Sequence, residues 1–561
     1  MMSGANALAA KPSELSHARV IFAASLGTGF EWYDFFLYGS LASIISRQFF
    51  AGVSETTAFI FALLTFAAGF AVRPFGALVF GRLGDLVGRK KTFLVTIVMM
   101  GSATTLVGVL PNYAAVGIAA PIALIALRML QGLAIGGEYG GAAIYVAEHA
   151  PPGERGRYTS WIQTTSTLAL LLSLILIFAC RAALGREFDT WGWRIPFLLS
   201  TVLLLISVYI RLQLAESPVF QQMVAEGSQA RAPLREAFGD RRNLKMILAV
   251  LAGATAGMNV LWYGGQLYAL FFLTQVLKVD PQTANLLLGA ALVIGTPLYL
   301  VFGRLSDRVG RKKVVLLGMA LAALTYFPLF HAITNSANPA IAAAALRAPV
   351  TVVAQTGSCS LQFDPVGKQR FGTSCDIAKN ALARAGVPYR TELTSGTGVA
   401  TVRIGGSGAA GTEVGAFEGT RLPAERFRQE NDAFAARLGR ALSAAGYPGK
   451  ADPAAINYPL LLLCLVILMV YVTMATGPMA AWLVELFPAR VRYTSLSVPY
   501  HIGAGWFGGF LPAVAFTLVA ITGDIYSGLW YPVIVTALTV VAGAWLLPET
   551  AGRHARPYPP A

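Results

Sequence analysis

The chain has 561 residues and a formal net charge of +15, with 55% hydrophobic residues, only 13% charged residues and a mean hydropathy of +0.60. A soluble globular protein carries about 25% charge, so this composition excludes a cytosolic enzyme and a disordered chain and points to a polytopic helical membrane protein. The surplus Lys and Arg lie in short clusters between apolar runs, which excludes a nucleic-acid-binding domain.

A spanning helix needs roughly 20 apolar residues. Twelve apolar segments follow one another at about 20–46, 57–80, 91–110, 116–147, 159–181, 193–213, 246–276, 284–303, 314–333, 457–482, 494–521 and 527–547. Residues 1–18 are polar and lack the apolar core of a cleavable signal. The polar stretch 214–244, with Arg231, Arg235, Arg241 and Arg242, reads as a cytoplasmic linker. It separates an N-terminal six-helix bundle (1–213) from a C-terminal one (245–333 and 457–561). With the N-terminus inside, the inner segments hold 23 Lys and Arg against four in the short outer loops, Arg47, Arg181, Arg186 and Lys278. The positive-inside rule therefore puts both termini in the cytoplasm.

An internal repeat organises the two halves. Residues 81–91 read GRLGDLVGRKK and residues 303–313 read GRLSDRVGRKK, nine of eleven positions being identical at an offset of 222. A second pair has the same internal spacing: Glu148 and Arg155 are seven apart, and so are Glu485 and Arg492. Asp85 to Glu148 is 63 residues whereas Asp307 to Glu485 is 178, so the second half carries about 115 extra residues between helices 9 and 10, outside the cytoplasm. Both copies sit at one membrane face, which makes the repeat parallel.

The duplicated loop resembles the signature of the major facilitator superfamily, found between helices 2–3 and 8–9. Glycines there permit close helix approach, and Asp85 and Asp307 can accept from the basic cluster or from a helix N-terminus. The resemblance implies a cytoplasmic lock between the halves made by Gly81, Asp85, Arg89, Glu148, Arg155, Asp307, Arg311, Glu485 and Arg492, residues that switch conformation and do not bind solute. Further motifs narrow the family: Gly27 to Gly39 with Glu31-Trp-Tyr-Asp34-Phe-Phe-Leu-Tyr38, Arg73-Pro74, Arg128-Met-Leu-Gln131-Gly132, Gly136-Gly-Glu138-Tyr139, Trp193-Arg194-Ile-Pro196, Glu216-Ser217-Pro218 and Glu485-Leu-Phe-Pro488. Together they resemble the metabolite:proton symporters, which include carriers of 2-oxoglutarate, citrate, shikimate, proline and betaine, and look nearest the shikimate-carrier branch. The likeness covers about 1–333 and 457–552. It implies an all-α membrane fold of twelve helices in two pseudo-symmetric bundles, residing in the bacterial inner membrane.

Ionisable residues inside the membrane carry the chemistry, because each costs about 2.5–3.5 kcal/mol on insertion scales. Glu31, Asp34 and Tyr38 share one face of helix 1. Arg73, Arg128 and Glu138 also lie within helices. A carboxylate among them can carry the coupled proton, Asp34 first and Glu138 second, with Glu31 and Arg128 as associates. The alternative is a static pair, such as Asp34 with Arg128, that only fixes helix packing. Candidate solute ligands are Arg73, Tyr38, Gln163, Asn259, Tyr263, Gln266 and His501. For the polar members of the second half, ordinary helix–helix hydrogen bonding is the competing use.

Helix 5 contains neither Gly nor Pro at 159–181, unlike drug exporters, and the tail PETAGRHARPYPPA lacks the heptad extension of osmosensing carriers. The insert, 334–456, reads as a small α+β periplasmic domain, with strands at 351–356 and 399–405, helices at 375–385 and 423–445, and a candidate disulfide between Cys359 and Cys375. No nucleophile–base or metal-ligand spacing appears, so no enzyme activity, metal or cofactor is expected. The resulting expectation is secondary import of a small polar metabolite with protons. An organic acid is favoured because Arg73 and Arg128 offer buried positive charge. A zwitterionic osmolyte remains the alternative, and a periplasmic-ligand sensor is the alternative of another class. The expected partners are the solute, protons and the bilayer, with no nucleic acid and no obligate protein.

Overall fold

The structure, a computed structural model, describes residues 14–50, 55–360, 372–395, 398–405 and 411–551. Most of the polar N-terminus and the tail beyond 551 therefore lie outside the described residues. Two long helices come first, α1 (Glu14–Phe49) and α2 (Glu55–Val87), of 36 and 33 residues. Among the described residues, ten helices that follow are long and apolar enough to cross a bilayer: α3 (Arg89–Val109), α4 (Ala119–His149), α5 (Arg155–Leu184), α6 (Arg194–Leu212), α7 (Arg241–Val276), α8 (Pro281–Val309), α9 (Arg311–Ala337), α10 (Tyr458–Leu486), α11 (Ala489–Thr522) and α12 (Ser527–Leu546). Their outward faces carry exposed apolar side chains such as Phe178, Leu324 and Trp545, the arrangement a lipid solvent selects. The polar linker contains two short helices, Pro218–Ala225 and Pro233–Gly239.

Glycine sets the closest helix contact in the first half. A Cβ added at Gly76, Gly132 or Gly136 would collide with the backbone of the facing helix across the α2–α4 seam. Backbone-to-backbone approach of this kind is the packing mode favoured between membrane helices, and it brings Arg73 on α2 beside the Arg128 segment of α4. In the second half α7 is irregular, with π turns at Leu251–Thr255, Gly264–Tyr268 and Phe272–Val276.

The described residues between 339 and 456 form a layer with its own core at the end of the bundle opposite the duplicated loops. Strands β1 (Val350–Gln355), β2 (Tyr389–Thr394), β3 (Thr401–Ile404) and β4 (Thr412–Gly415) make one sheet in the order β2-β1-β3-β4. β1 and β2 are parallel, joined through the helix Ser374–Ala385, and β3 is antiparallel to both β1 and β4. Val350, Val352 and Ala354 alternate inward along β1 and meet Phe434, Leu438 and Leu442 of the helix Ala424–Ala444. Cys359 and Cys375 are joined by a disulfide with Cα atoms 5.1 Å apart, tying the segment after β1 to the start of the helix. Two strands escaped the sequence reading. β2, YRTELT, is an edge strand with mostly exposed side chains, so it lacks the apolar alternation that marked β1, and β4 has only four residues. α9 also runs to Ala337, four residues past the end of its apolar run, and the helix Pro339–Arg347 follows it.

Candidate functional site

At one end of the bundle each copy of the duplicated loop reaches across to the opposite half. Asp85 at the end of α2 accepts from the backbone N–H of Tyr493 (3.1 Å) and Thr494 (3.0 Å) in α11. Asp307 at the end of α8 accepts from the N–H of Gly156 (2.8 Å) and Arg157 (2.9 Å) at the start of α5. Each carboxylate thus occupies a helix N-terminus, where unpaired N–H groups favour an anion. Each also pairs with the arginine four residues on, Arg89 at 3.5 Å and Arg311 at 2.7 Å, so both partners foreseen for these aspartates are present. The seven-residue pairs cross between halves as well: Glu148 with Arg492 at 2.7 Å, and Glu485 with Arg155 at 3.6 Å. Gly81 lies where a Cβ would stand 2.8 Å from the Thr494 Cα.

Sequence reasoning did not assign the residues that brace this lock. Glu216 accepts from the N–H of Arg89 (3.0 Å) and Lys90 (3.2 Å), and Glu549 accepts from the N–H of Arg311 (2.8 Å). They close the N-termini of α3 and α9. The preceding turns require Gly88 (φ 109°) and Gly310 (φ 116°), where a side chain would be strained and would also strike the glutamate. The following hydroxyls, Ser217 and Thr550, donate to Glu148 and Glu485. The available signal was the matched Glu-Ser and Glu-Thr dipeptides after helices 6 and 12.

Within the first half, Glu31, Asp34, Arg73, Arg128 and Gln131 line one small buried cavity together with Phe35, Phe70 and Ile135. Arg128 meets Asp34 at 2.6 Å and lies over the Tyr38 ring at 3.8 Å. Gln131 Nε2 donates to the second Asp34 oxygen (3.1 Å) and to Thr104 (2.7 Å). Arg73 stands 3.6 Å from Glu31 and over Phe70 at 4.1 Å. Two cations and two carboxylates share the space, which makes it formally neutral, as a low-dielectric site requires. Arg128 Nε and Nη2 and Arg73 Nε are buried and have no hydrogen-bond partner among the described residues. The free space is about 20 Å³, room for one water and far less than a metabolite.

Glu138 is placed elsewhere. It pairs with Arg211 at 2.7 Å and accepts from Thr96 at 2.8 Å, in a seam between α3, α4 and α6. Arg211 was not foreseen as an intramembrane partner because it ends an apolar run, where arginine reads as a positive-inside marker. The second-half candidates divide. Tyr263 packs on Phe70 with ring centroids 6.1 Å apart. Asn259 donates to Thr255 O at 2.8 Å, within its own helix. Gln266 falls in a π turn, so its phase departs from the simple helical face read from spacing. The Gln266 amide nitrogen and both His501 ring nitrogens are buried without a partner among the described residues. Gln163 lies 3.4 Å from the Tyr139 hydroxyl, and Tyr139 stacks on Tyr500 of the second half at 3.7 Å. That stack is one turn of α4 beyond Ile135, between the cavity and the lock.

A membrane bundle of two halves, with a charged cavity inside the first half and duplicated charged loops joining the halves at one end, defines a membrane transporter. The family described as Sugar (and other) transporter matches residues 20–254, and the one described as MFS/sugar transport protein matches residues 142–372. The proline/betaine transporter of Salmonella typhimurium is 37% identical over 349 residues, which are 60% of this chain and 69% of that protein. The shikimate transporter of Escherichia coli is also 37% identical, over 314 residues, 55% of this chain and 70% of its own. The Escherichia coli inner membrane metabolite transport protein YhjE is 34% identical over 63% of this chain and 79% of its own. Among solved structures, the proton:xylose symporter XylE bound to 6-bromo-6-deoxy-D-glucose superposes with a TM-score of 0.58 over 96% of this chain and 97% of its own; at 16% identity it shows the fold alone. The chain belongs to the major facilitator superfamily, among relatives that carry proline, betaine, shikimate and other metabolites. Its members are transporters and not enzymes.

Proposed function

We propose that the protein is a proton-coupled symporter that imports a small carboxylate-bearing solute across the bacterial inner membrane, with the lock end and both termini in the cytoplasm and the insert in the periplasm. The observation that carries this reading is the four-charge cavity with guanidinium donors left over. A solute carboxylate fits the unpartnered nitrogens of Arg128 and Arg73, and bidentate geometry suits guanidinium. Shikimate, proline and betaine, named for the relatives, all bear a carboxylate.

Neutrality supplies the coupling. An arriving anion would leave the buried cavity with one uncompensated negative charge, at a cost of several kcal/mol. A proton on Asp34, freed from part of its pairing with Arg128, removes that charge, and Glu31 opposite Arg73 is the second acceptor. Solute and proton therefore enter together. His501, Gln266 and Tyr263 contribute from the second half as the cavity widens, and the lock opens when the halves rock. The same bookkeeping separates solute classes: an organic acid needs the proton for neutrality, whereas a zwitterion brings its own cation to Glu31.

Solute-evoked currents of the full chain in proteoliposomes on a solid-supported membrane test this, with 2-oxoglutarate, citrate, shikimate, proline and betaine at two pH values. The expected result is a current that grows on acidification with one acid. Asp34→Asn should abolish proton-driven accumulation while leaving solute counterflow. Undiminished accumulation by Asp34→Asn would remove Asp34 from the mechanism, and a pH-independent response to betaine alone would replace the acid by an osmolyte.

A further inference from the structure

The insert is fastened to two helix ends at once. At the end of α7, Lys278 donates from Nζ to Arg384 O (2.5 Å), and its own carbonyl accepts from Ala451 N–H (2.9 Å). Lys278 holds a φ of 57°, the one non-glycine residue with positive φ among the described residues, a strained state that its surroundings must maintain. Gly386, which ends the helix Ser374–Ala385, lies against the Val276 carbonyl so closely that a Cβ would collide with it. At the end of α11, the first residue of β2 makes two bonds: Tyr389 N–H donates to Gly523 O (2.9 Å) and its hydroxyl to Ala520 O (2.5 Å). Lys379 reaches Ile521 O at 3.3 Å. Burial lowers both amines, Lys278 and Lys379, from the usual lysine value, consistent with anchors enclosed at a seam and not with freely solvated charges.

All these partners belong to the second half, and they lie on two helices that are not adjacent in sequence. Arg384 and Gly386, which meet the α7 end, and Lys379 and Tyr389, which meet the α11 end, all belong to the segment from the helix Ser374–Ala385 to the start of β2, which is held to β1 by the sheet and stiffened by the insert's own core and by the Cys359–Cys375 disulfide. Directly below the α7 anchor is the π turn Phe272–Val276. Such a turn interrupts the regular helical hydrogen bonding, recurs at functional sites and is a common place for a helix to kink. About three turns further toward the duplicated loops, Trp262 of the same helix packs on Trp32 of the first half at 4.8 Å. A rigid strap across the ends of α7 and α11 therefore bears on a hinge whose other side touches the opposing bundle.

We propose that the insert is a clamp that fixes the end of α7 to the end of α11, so that this end of the second half moves as one body and α7 does not bend alone at Phe272–Val276. The clamp rests on the transporter reading for its purpose but not for its mechanics. Its test therefore has a readout that does not involve transport.

Hydrogen exchange by mass spectrometry on the full chain in nanodiscs compares the parent with the double variant Lys278→Met, Tyr389→Phe. The expected result is exchange at least tenfold faster for peptides covering 270–279 and 518–525, with peptides of the lock, 81–91 and 303–313, unchanged. Equal protection of 270–279 in parent and variant would overturn the clamp. If the double variant does not fold, Lys379→Met alone removes one anchor and should accelerate 518–525 selectively; no change there overturns the proposal equally. Solute counterflow is read in parallel. Altered exchange without altered counterflow would keep the clamp and bear only on the transport reading.

Discussion

The two copies of the lock share nine of eleven residues in their loops, yet they are not equivalent. In the first, the side chains of Asp85 and Arg89 are fully enclosed and Glu148 is 1% exposed against Arg492. In the second, Arg155 is 23% exposed and stands off from Glu485, which is held instead by two bonds from Arg311 at 2.7 and 3.0 Å. One of the two sequence differences has a steric origin. Gly84 lies under the Tyr493 ring, which leaves no space for a Cβ. Its counterpart Ser306 has a side chain, and the residue facing it, Gly156, has none. The volume that one copy places on α11 the other places on α8. Near-identical loops thus form one dry, tightly packed contact and one wetter contact. Ion pairs in a dry contact are the ones whose loss is expensive.

The largest contrast should come from the cross-half arginines. Arg492→Ala leaves the buried Glu148 with only the Ser217 hydroxyl and Arg89 at 3.9 Å and should cost about 3 kcal/mol of the observed conformation, whereas Arg155→Ala should cost about 1 kcal/mol or less. Thermal unfolding of the two variants, together with hydrogen exchange across 81–91 and 303–313, measures both; equal losses would break the distinction between the copies. Next comes the volume swap. Gly84→Ser overpacks against Tyr493 and should cost about 1–3 kcal/mol, while Ser306→Gly forfeits hydrogen bonds to Gly303 O and Arg311 worth about 1 kcal/mol. Tyr493→Gly is itself costly, because the ring is buried and its hydroxyl donates to Gly137 O, but in that background Gly84→Ser should add little further loss, the coupling the steric account requires. The smallest contrast between the copies belongs to the caps. Glu216→Ala and Glu549→Ala should each cost about 0.5–2 kcal/mol, and a null result for both in denaturant titration would show that the α3 and α9 starts are held by the aspartate–arginine pairs alone.

Hydropathy was sufficient to outline the apolar helices, and the matched seven-residue spacings singled out Glu148 with Arg155 and Glu485 with Arg492, but that each glutamate meets the arginine of the other copy was visible only in the structure. Asp34 and Arg128 were legible as candidates because charge inside an apolar run is conspicuous. Gln131 and Thr104, which complete the hydrogen bonds around Asp34, were not, since neutral polar residues are common in membrane helices and carry no such contrast. Glu138 was as conspicuous as Asp34 but faces a different seam, a matter of rotation of α4 about its axis. In the insert, β1 announced itself by alternation, and β2 did not because one of its faces is exposed and polar.

What the sequence by itself determined is what depends on local composition and on repetition: apolar length, the parallel duplication, the insertion, and the residue types available to a lock and a charged cavity. What only the tertiary structure decided is which of those residues meet. Asp34 with Arg128 spans 94 positions, Glu148 with Arg492 spans 344, and the Tyr389 hydroxyl finds its acceptor 131 residues away. Such pairings follow from helix rotation and from glycine contacts that set interaxial distance, and a shift of one residue in either would bring a different set of charges into the cavity.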